Sequence, residues 1–125
     1  MSQEQQRAAV TRYWWSKAEE SLTSAKRELD AGSFAFAMNR IYYAAFYAAS
    51  AALLERRASF KKHTGVRAAF HREFIRSGAL DTKWGKFYDQ LFEDRQEGDY
   101  VETQLARSRE FLNVLRPLVI ALGGR

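Results

Sequence analysis

Cysteine is absent from the 125 residues, so neither a disulfide nor a thiolate metal site can form. Histidine is scarce, and His63 and His71 are too far apart to share one helical turn. No carboxylate cluster accompanies them, so no metal site is expected. Glycine-rich phosphate loops, nucleophile elbows and His-Glu-x-x-His motifs are missing as well, and no cofactor is expected. One proline and seven glycines leave few turn formers for a β-sandwich or barrel. Long apolar runs are also lacking. The longest, residues 41–54, covers 14 positions and is interrupted by Tyr42, Tyr43, Tyr47 and Ser50. A membrane span takes about 20 residues, so this run reads as a buried core helix and no membrane partner is expected. Residues 1–7 are polar and lack the apolar stretch of a signal peptide. A soluble, cytoplasmic location is expected.

What is present suits a helical fold. Hydrophobic residues make up 46% and charged residues 28%, too apolar a mixture for disorder. Nine Phe, six Tyr and three Trp supply bulky core pieces. The length fits one domain over residues 1–125. A formal charge of +5 permits attraction to nucleic acid or nucleotide phosphates, although the basic residues are spread along the chain.

Periodicity divides the chain into five helices. Trp14, Ala18, Leu22, Ala25 and Leu29 recur at steps of three and four and place one apolar face on a helix over residues 8–30. Gly32 ends it, and Ser33 is a suitable N-cap for a second helix over 34–57. That second helix is apolar on two sides and therefore central, with Arg40 the one charge in its first four turns. A basic stretch over 56–63 reads as a loop. Thr64 can cap a third helix carrying Val66, Phe70 and Phe74 and ending at Gly78; Asp81 can cap a fourth with Trp84, Tyr88, Leu91 and Arg95 on one stripe. The last spans about 102–122, with Leu105, Ser108, Leu112, Leu115, Val119 and Leu122 in register and a kink expected at Pro117. The expected fold is all-α, an up-and-down bundle of about five helices. A tetratricopeptide scaffold is disfavoured because no 34-residue period returns.

Four stretches, in order, resemble the HEPN family in its small stand-alone prokaryotic branch. They are Asn39-Arg40-Ile41-Tyr42-Tyr43, Lys62-His63-Thr64-Gly65-Val66, Phe70-His71-Arg72-Glu73-Phe74 running to Gly78, and Leu91 through Arg95 to Asp99-Tyr100. The similarity runs over residues 14–115. It implies a dimer-forming bundle, and many members are metal-independent RNases, often toxins paired with a small nucleotidyltransferase antitoxin. The family signature is an Arg followed, after four to six residues, by a His. A guanidinium can grip the scissile phosphate, and an imidazole can move protons during attack by the 2′-hydroxyl.

Here Arg95 is present, and Tyr100 stands where the His is expected. A phenol with a pKa near 10 is a poor general base at neutral pH. The resemblance therefore implies one of two things: an endoribonuclease centred on Arg95 and Tyr100, or a non-catalytic module that binds a nucleotidyltransferase or a nucleotide. Arg95 and Tyr100 are equally open to a structural role tying the fourth helix to the last, with Asp99 a partner for Arg95 or Arg40. Arg40 on its apolar helix requires an acidic or carbonyl partner, or else lines the site. His63 either orients a helix start or joins the site, and Lys62 is placed to steer phosphate. Arg57 and His63 also satisfy the signature spacing, but lie between the second and third helices. His71, flanked by charges, is expected to be solvated.

Overall fold

The computed structural model describes residues 2–57, 63–93 and 101–123. Five α-helices account for most of them: α1 (Gln3–Asp30), α2 (Phe34–Glu55), α3 (His63–Phe70), α4 (Thr82–Glu93) and α5 (Val101–Leu115). No strand occurs among the described residues. No helix among them is long and apolar enough to cross a membrane.

α1 begins at Gln3, five residues earlier than the expected helix start at residue 8. Ser2 and Gln5 form a reciprocal capping box, each side chain binding the other's backbone amide, which extends the helix beyond the reach of tertiary packing. At its other end Gly32 adopts a φ of 78°, and the amides of Ala31, Gly32 and Ser33 satisfy the carbonyls of Arg27, Leu29 and Glu28. Ser33 does precede α2, but its side chain makes no capping bond. Its backbone is committed to closing α1 and starting α2, through its amide and its carbonyl respectively.

α2 is the central element. Ala37, Ala44, Ala45, Ala48, Ala49, Ala51 and Ala52 are all fully buried, as is Ile41. These small side chains let α1 lie close along α2, with Ala18, Leu22 and Ala25 facing it as the stripe predicted. α2 ends at Glu55 rather than at Arg57, where the backbone turns through a left-handed φ of 61°.

Val66, Phe70 and Phe74 are buried as their spacing implied, but they do not lie on one uninterrupted α-helix. α3 passes at His71 into a π-helical turn, His71–Ile75, and the segment stops at Gly78 with φ 82°. Asp81 caps α4 as expected, accepting from the Lys83 amide at 2.8 Å. Within this half of the core, Phe70, Trp84, Phe87 and Tyr88 all surround Phe111 of α5 with ring centroids 5.5–6.1 Å away.

The last helix is shorter than its apolar register. Pro117 does not kink a continuing helix; α5 ends at Leu115 and gives way to two 3₁₀ turns, Arg116–Leu118 and Ile120–Leu122. A proline there has no amide for the carbonyl of Asn113, so the α-helical ladder cannot continue through it. Val119 is buried nonetheless, and Glu55 accepts the Ala121 amide at 2.8 Å, which docks the segment on the end of α2.

Tyr88 is fully buried against Phe70 and Phe111, and its hydroxyl has no hydrogen-bond partner among the described residues. Burial, with Tyr42 close by, pushes its phenol pKa far up, so it stays neutral. An unpaired hydroxyl in such a place opposes folding. Tyr88→Phe is therefore expected to leave stability unchanged or raise it by up to about 1 kcal/mol. Thermal denaturation followed by circular dichroism checks this. A fall of several degrees would show that the hydroxyl has a partner.

Candidate functional site

The sequence placed the site in the segment joining α4 to α5. Arg95, Asp99 and Tyr100 lie in residues 94–100, outside the described residues, as does Lys62. His63 opens α3. Of the predicted site residues, Arg40 is the one whose side chain the structure describes. What it defines in detail is the platform from which residues 94–100 depart.

That platform is the last turn of α4. Asp89 and Glu93 are four residues apart and face α3, where Arg67 and His71 are also four apart. Arg67 donates from Nε to Asp89 at 2.8 Å and from a terminal nitrogen to Glu93 at 3.0 Å. His71 Nε2 lies 2.8 Å from the same Asp89 oxygen. The Arg67 guanidinium also covers the Phe92 ring at 4.5 Å. Burial alone would lower the pKa of Arg67, but the hydrogen bonds and negative charges of Asp89 and Glu93 outweigh that and raise it. Arg67 is thus a permanent cation bridging two carboxylates. His71 is not solvated as its flanking charges suggested; the helix turns it inward to Asp89.

The π-helical turn and one glycine explain how His71 reaches this position. A π turn carries an extra residue and rotates the chain beyond it, a device common at functional sites. Opposite it stands Gly85 in the middle of α4, where a side chain would ordinarily favour the helix. A Cβ at Gly85 would meet His71 Cε1 at 2.7 Å and Nδ1 at 3.1 Å. The imidazole therefore rests directly on the α4 backbone, with one nitrogen on Asp89 and the other against Gly85.

Aromatic contacts connect this platform to α2. Phe92 meets Tyr42 at 6.2 Å, Tyr42 meets Tyr43 at 5.2 Å, and the Arg40 guanidinium lies 5.9 Å from the Tyr43 ring centroid. Arg40 donates to the side-chain carbonyl of Asn39 at 2.8 Å. The carbonyl partner required of this charge is therefore its own neighbour, and no carboxylate pairs with it among the described residues. Arg40 also lines a polar depression between α1 and α2 with Lys17, Arg27, Glu19, Glu20 and several hydroxyls. Parts of three of the four characteristic stretches, from α2, α3 and α4, thus meet beside the entry to residues 94–100. Among the described residues no three His, Asp or Glu side chains are grouped to hold a metal ion.

Arg67, Asp89 and Glu93 were missed in the sequence, and His71 was misjudged. The signal was present as an Arg/His pair and an Asp/Glu pair, each at i,i+4 spacing, on adjacent predicted helices. Each pair taken alone looks like a solvated face; only their apposition makes a clamp.

An all-α helical bundle is the architecture that the resemblance implied. The chain belongs to the HEPN family: the family profile described as "HEPN domain" matches residues 11–116. It is 48% identical over 93 residues to a "UPF0332 protein" of Thermotoga maritima, covering 74% of this chain and 70% of that one. Two proteins of Methanocaldococcus jannaschii are also similar. "Putative toxin MJ0142" is 37% identical over 70% of this chain and 59% of its own length. "Putative toxin MJ0605" is 34% identical over 66% of this chain and 62% of its own. The matched regions thus span less than two thirds of either archaeal relative.

The seating of His71 yields a test. Gly85→Ala should gain up to about 1 kcal/mol of helix propensity but lose more by driving His71 off Asp89, so that Tm falls by a few degrees. In a His71→Ala background, where only the flexible Ile75 Cγ1 remains close at 3.2 Å, the same change should raise Tm. A double-mutant cycle by thermal denaturation reads this reversal of sign; additivity would mean that the two residues do not oppose each other.

Proposed function

We propose that this protein binds or cleaves RNA as the toxin-like member of a toxin–antitoxin pair, with a metal-independent endoribonuclease activity centred on Arg95. The observation that carries this reading is Arg95 in the signature position of a chain that belongs to the HEPN family. The word toxin in the names of the two archaeal relatives supports it. In this reading Arg95 binds the scissile phosphate and stabilises the charge that builds up as the 2′-oxygen attacks phosphorus and the 5′-oxygen leaves. Tyr100 donates a hydrogen bond to a phosphate oxygen or takes the 2′-hydroxyl proton. Arg40, without a carboxylate partner among the described residues, together with Lys62, His63 and Asp99, completes the RNA- or nucleotide-binding surroundings.

The working unit is a homodimer. Tyr47 stacks on Trp14 at 5.4 Å, Tyr43 and Phe46 adjoin it, and Tyr13 meets Trp14 edge-on; Tyr13 and Phe36 are exposed at 56% and 68%. Exposed aromatic side chains of this kind suit self-association. The partner in trans is a minimal nucleotidyltransferase acting as antitoxin.

Tyr100 favours a second reading, a non-catalytic HEPN module that binds the nucleotidyltransferase or a nucleotide, because a phenol is a weak base at neutral pH. The two are separated by incubating labelled RNA with highly purified protein in EDTA, beside Arg95→Ala and Tyr100→Phe. Cleavage by wild type, abolished in Arg95→Ala, is the expected result; no cleavage above background would leave the binding module. If Tyr100 is the base, the rate should climb with pH through the range 7 to 9, since the deprotonated phenol becomes more abundant towards its pKa near 10. A bell centred near 6.5 would instead point to an imidazole.

For the dimer, Tyr13→Glu with Phe36→Glu should give a monomer in sedimentation velocity, with its helicity intact. A variant that still sediments as a dimer would place the interface elsewhere.

A further inference from the structure

A groove of about 410 Å³ lies between α1 and α5. Leu22 of α1 with Leu105 and Ala106 of α5 forms its aliphatic floor, and Lys26, Arg27 and Arg109 are the charged side chains that line it. Among the described residues neither a carboxylate nor an aromatic ring lines it.

The order along α1 gives this groove a pattern. Glu19 holds Arg109 of α5 by two hydrogen bonds, at 2.7 and 3.2 Å. Leu22 follows three residues after Glu19, and Lys26 and Arg27 come four and five residues after Leu22. The step from Glu19 to Lys26 is roughly two helical turns, about 10 Å. A cationic end therefore stands on either side of an aliphatic middle.

Two of the three cations already have partners. Lys26 meets Asp30 at 2.9 Å, but these side chains are 63% and 61% exposed, so the pair contributes little and yields to a competing carboxylate. Arg109 gives its two terminal nitrogens to Glu19, while its Nε makes no bond among the described residues. Arg27 has no carboxylate partner among them. Glu102, exposed on α5, bonds to neither Lys26 nor Arg27.

A single nucleic-acid strand matches this pattern poorly. Its bases need aromatic faces to stack on, and its closely spaced phosphates would set charge over the leucines. A second copy of the chain matches no better, since it carries a net charge of +5 and no two of its Asp or Glu residues are seven apart. A helix with carboxylates two turns apart and apolar side chains between them meets both cationic ends and the floor.

We infer that the α1–α5 groove is a docking site for an acidic amphipathic helix of another protein. Carboxylates at i and i+7 of that helix face Arg109 and the Lys26–Arg27 end, and apolar residues at i+3 and i+4 rest on Leu22, Leu105 and Ala106. The site uses neither Tyr13 nor Phe36, and it stands whether or not the protein acts on RNA.

The test uses a labelled helical peptide with Glu at i and i+7 and Leu at i+3 and i+4, beside a scrambled peptide of the same composition. Fluorescence anisotropy with the full chain at low salt reads their binding. Lys26→Gln with Arg27→Gln removes one cationic end and leaves the Arg109–Glu19 link in place. A control of equal net charge combines Lys83→Gln and Lys86→Gln, exposed cations on α4. Circular dichroism melting confirms that both variants are folded. The patterned peptide is expected to bind wild type at least about fivefold more tightly than the scrambled one, and the groove variant to lose about fivefold in affinity, with the control near wild type. No binding of either peptide, equal binding of the two, or a groove variant that loses no more than the control would overturn the inference. Displacement of the labelled peptide by single-stranded RNA at lower concentration than by unlabelled peptide would assign the groove to nucleic acid and overturn it as well.

Discussion

Everything in this fold rests on how closely α1 and α2 can approach. Alanine at seven of the eleven buried positions of α2 removes much of the bulk that sets the distance between packed helices. The Gly32 turn joins the two helices with almost no intervening chain, so they can only be antiparallel. The bulky side chains are displaced to the other side of α2, where α3, α4 and α5 pack around Phe70 and Phe111. The molecule thus has a thin alanine seam on one side of its central helix and a thick aromatic core on the other. The thick side sets the position of α4, and with it the departure point of residues 94–100.

The Arg67 clamp belongs to a different kind of interaction. It is half-exposed and adds little to stability compared with the aromatic core beneath it. Its contribution is directional. Two carboxylates on α4, one guanidinium and one imidazole fix the rotation of the helix that ends at Glu93, and Phe92 meets both Arg67 and Tyr42.

The parts of the fold that depend on local rules were legible in the sequence. Apolar spacing placed α1, α2 and α4, Gly32 and Gly78 marked real chain reversals, and Asp81 was a working cap. Where two local rules competed, the reading went astray. The Ser2–Gln5 capping box was overlooked because the apolar stripe begins later, and the stripe past Pro117 was read as helix although the chain continues there in 3₁₀ turns. The π turn at His71 has no periodic signature, because Phe70 and Phe74 keep a spacing of four on either side of its start. Arg40 stands out as a charge on an apolar helix, and of the acidic or carbonyl partner expected for it the structure shows a carbonyl, that of Asn39. His71 was not recognised, because whether a histidine faces water or an aspartate depends on the rotation of two helices. The Arg95, Asp99 and Tyr100 positions came from family resemblance and lie outside the described residues.

The Gly32 turn also bears on the order in which the chain assembles. Contacts between α1 and α2 close only a short loop, so the hairpin can form early and at little entropic cost. The contacts that fasten α5 are remote: Arg109 reaches Glu19 across 90 residues, and Ala121 reaches Glu55 across 66. Residues 94–100 lie inside both of those loops. During synthesis the hairpin can be in place well before α5 has emerged to dock on it. A chain still emerging from the ribosome would thus hold α1 and α2 paired while one side of its central helix waits, uncovered, for α5.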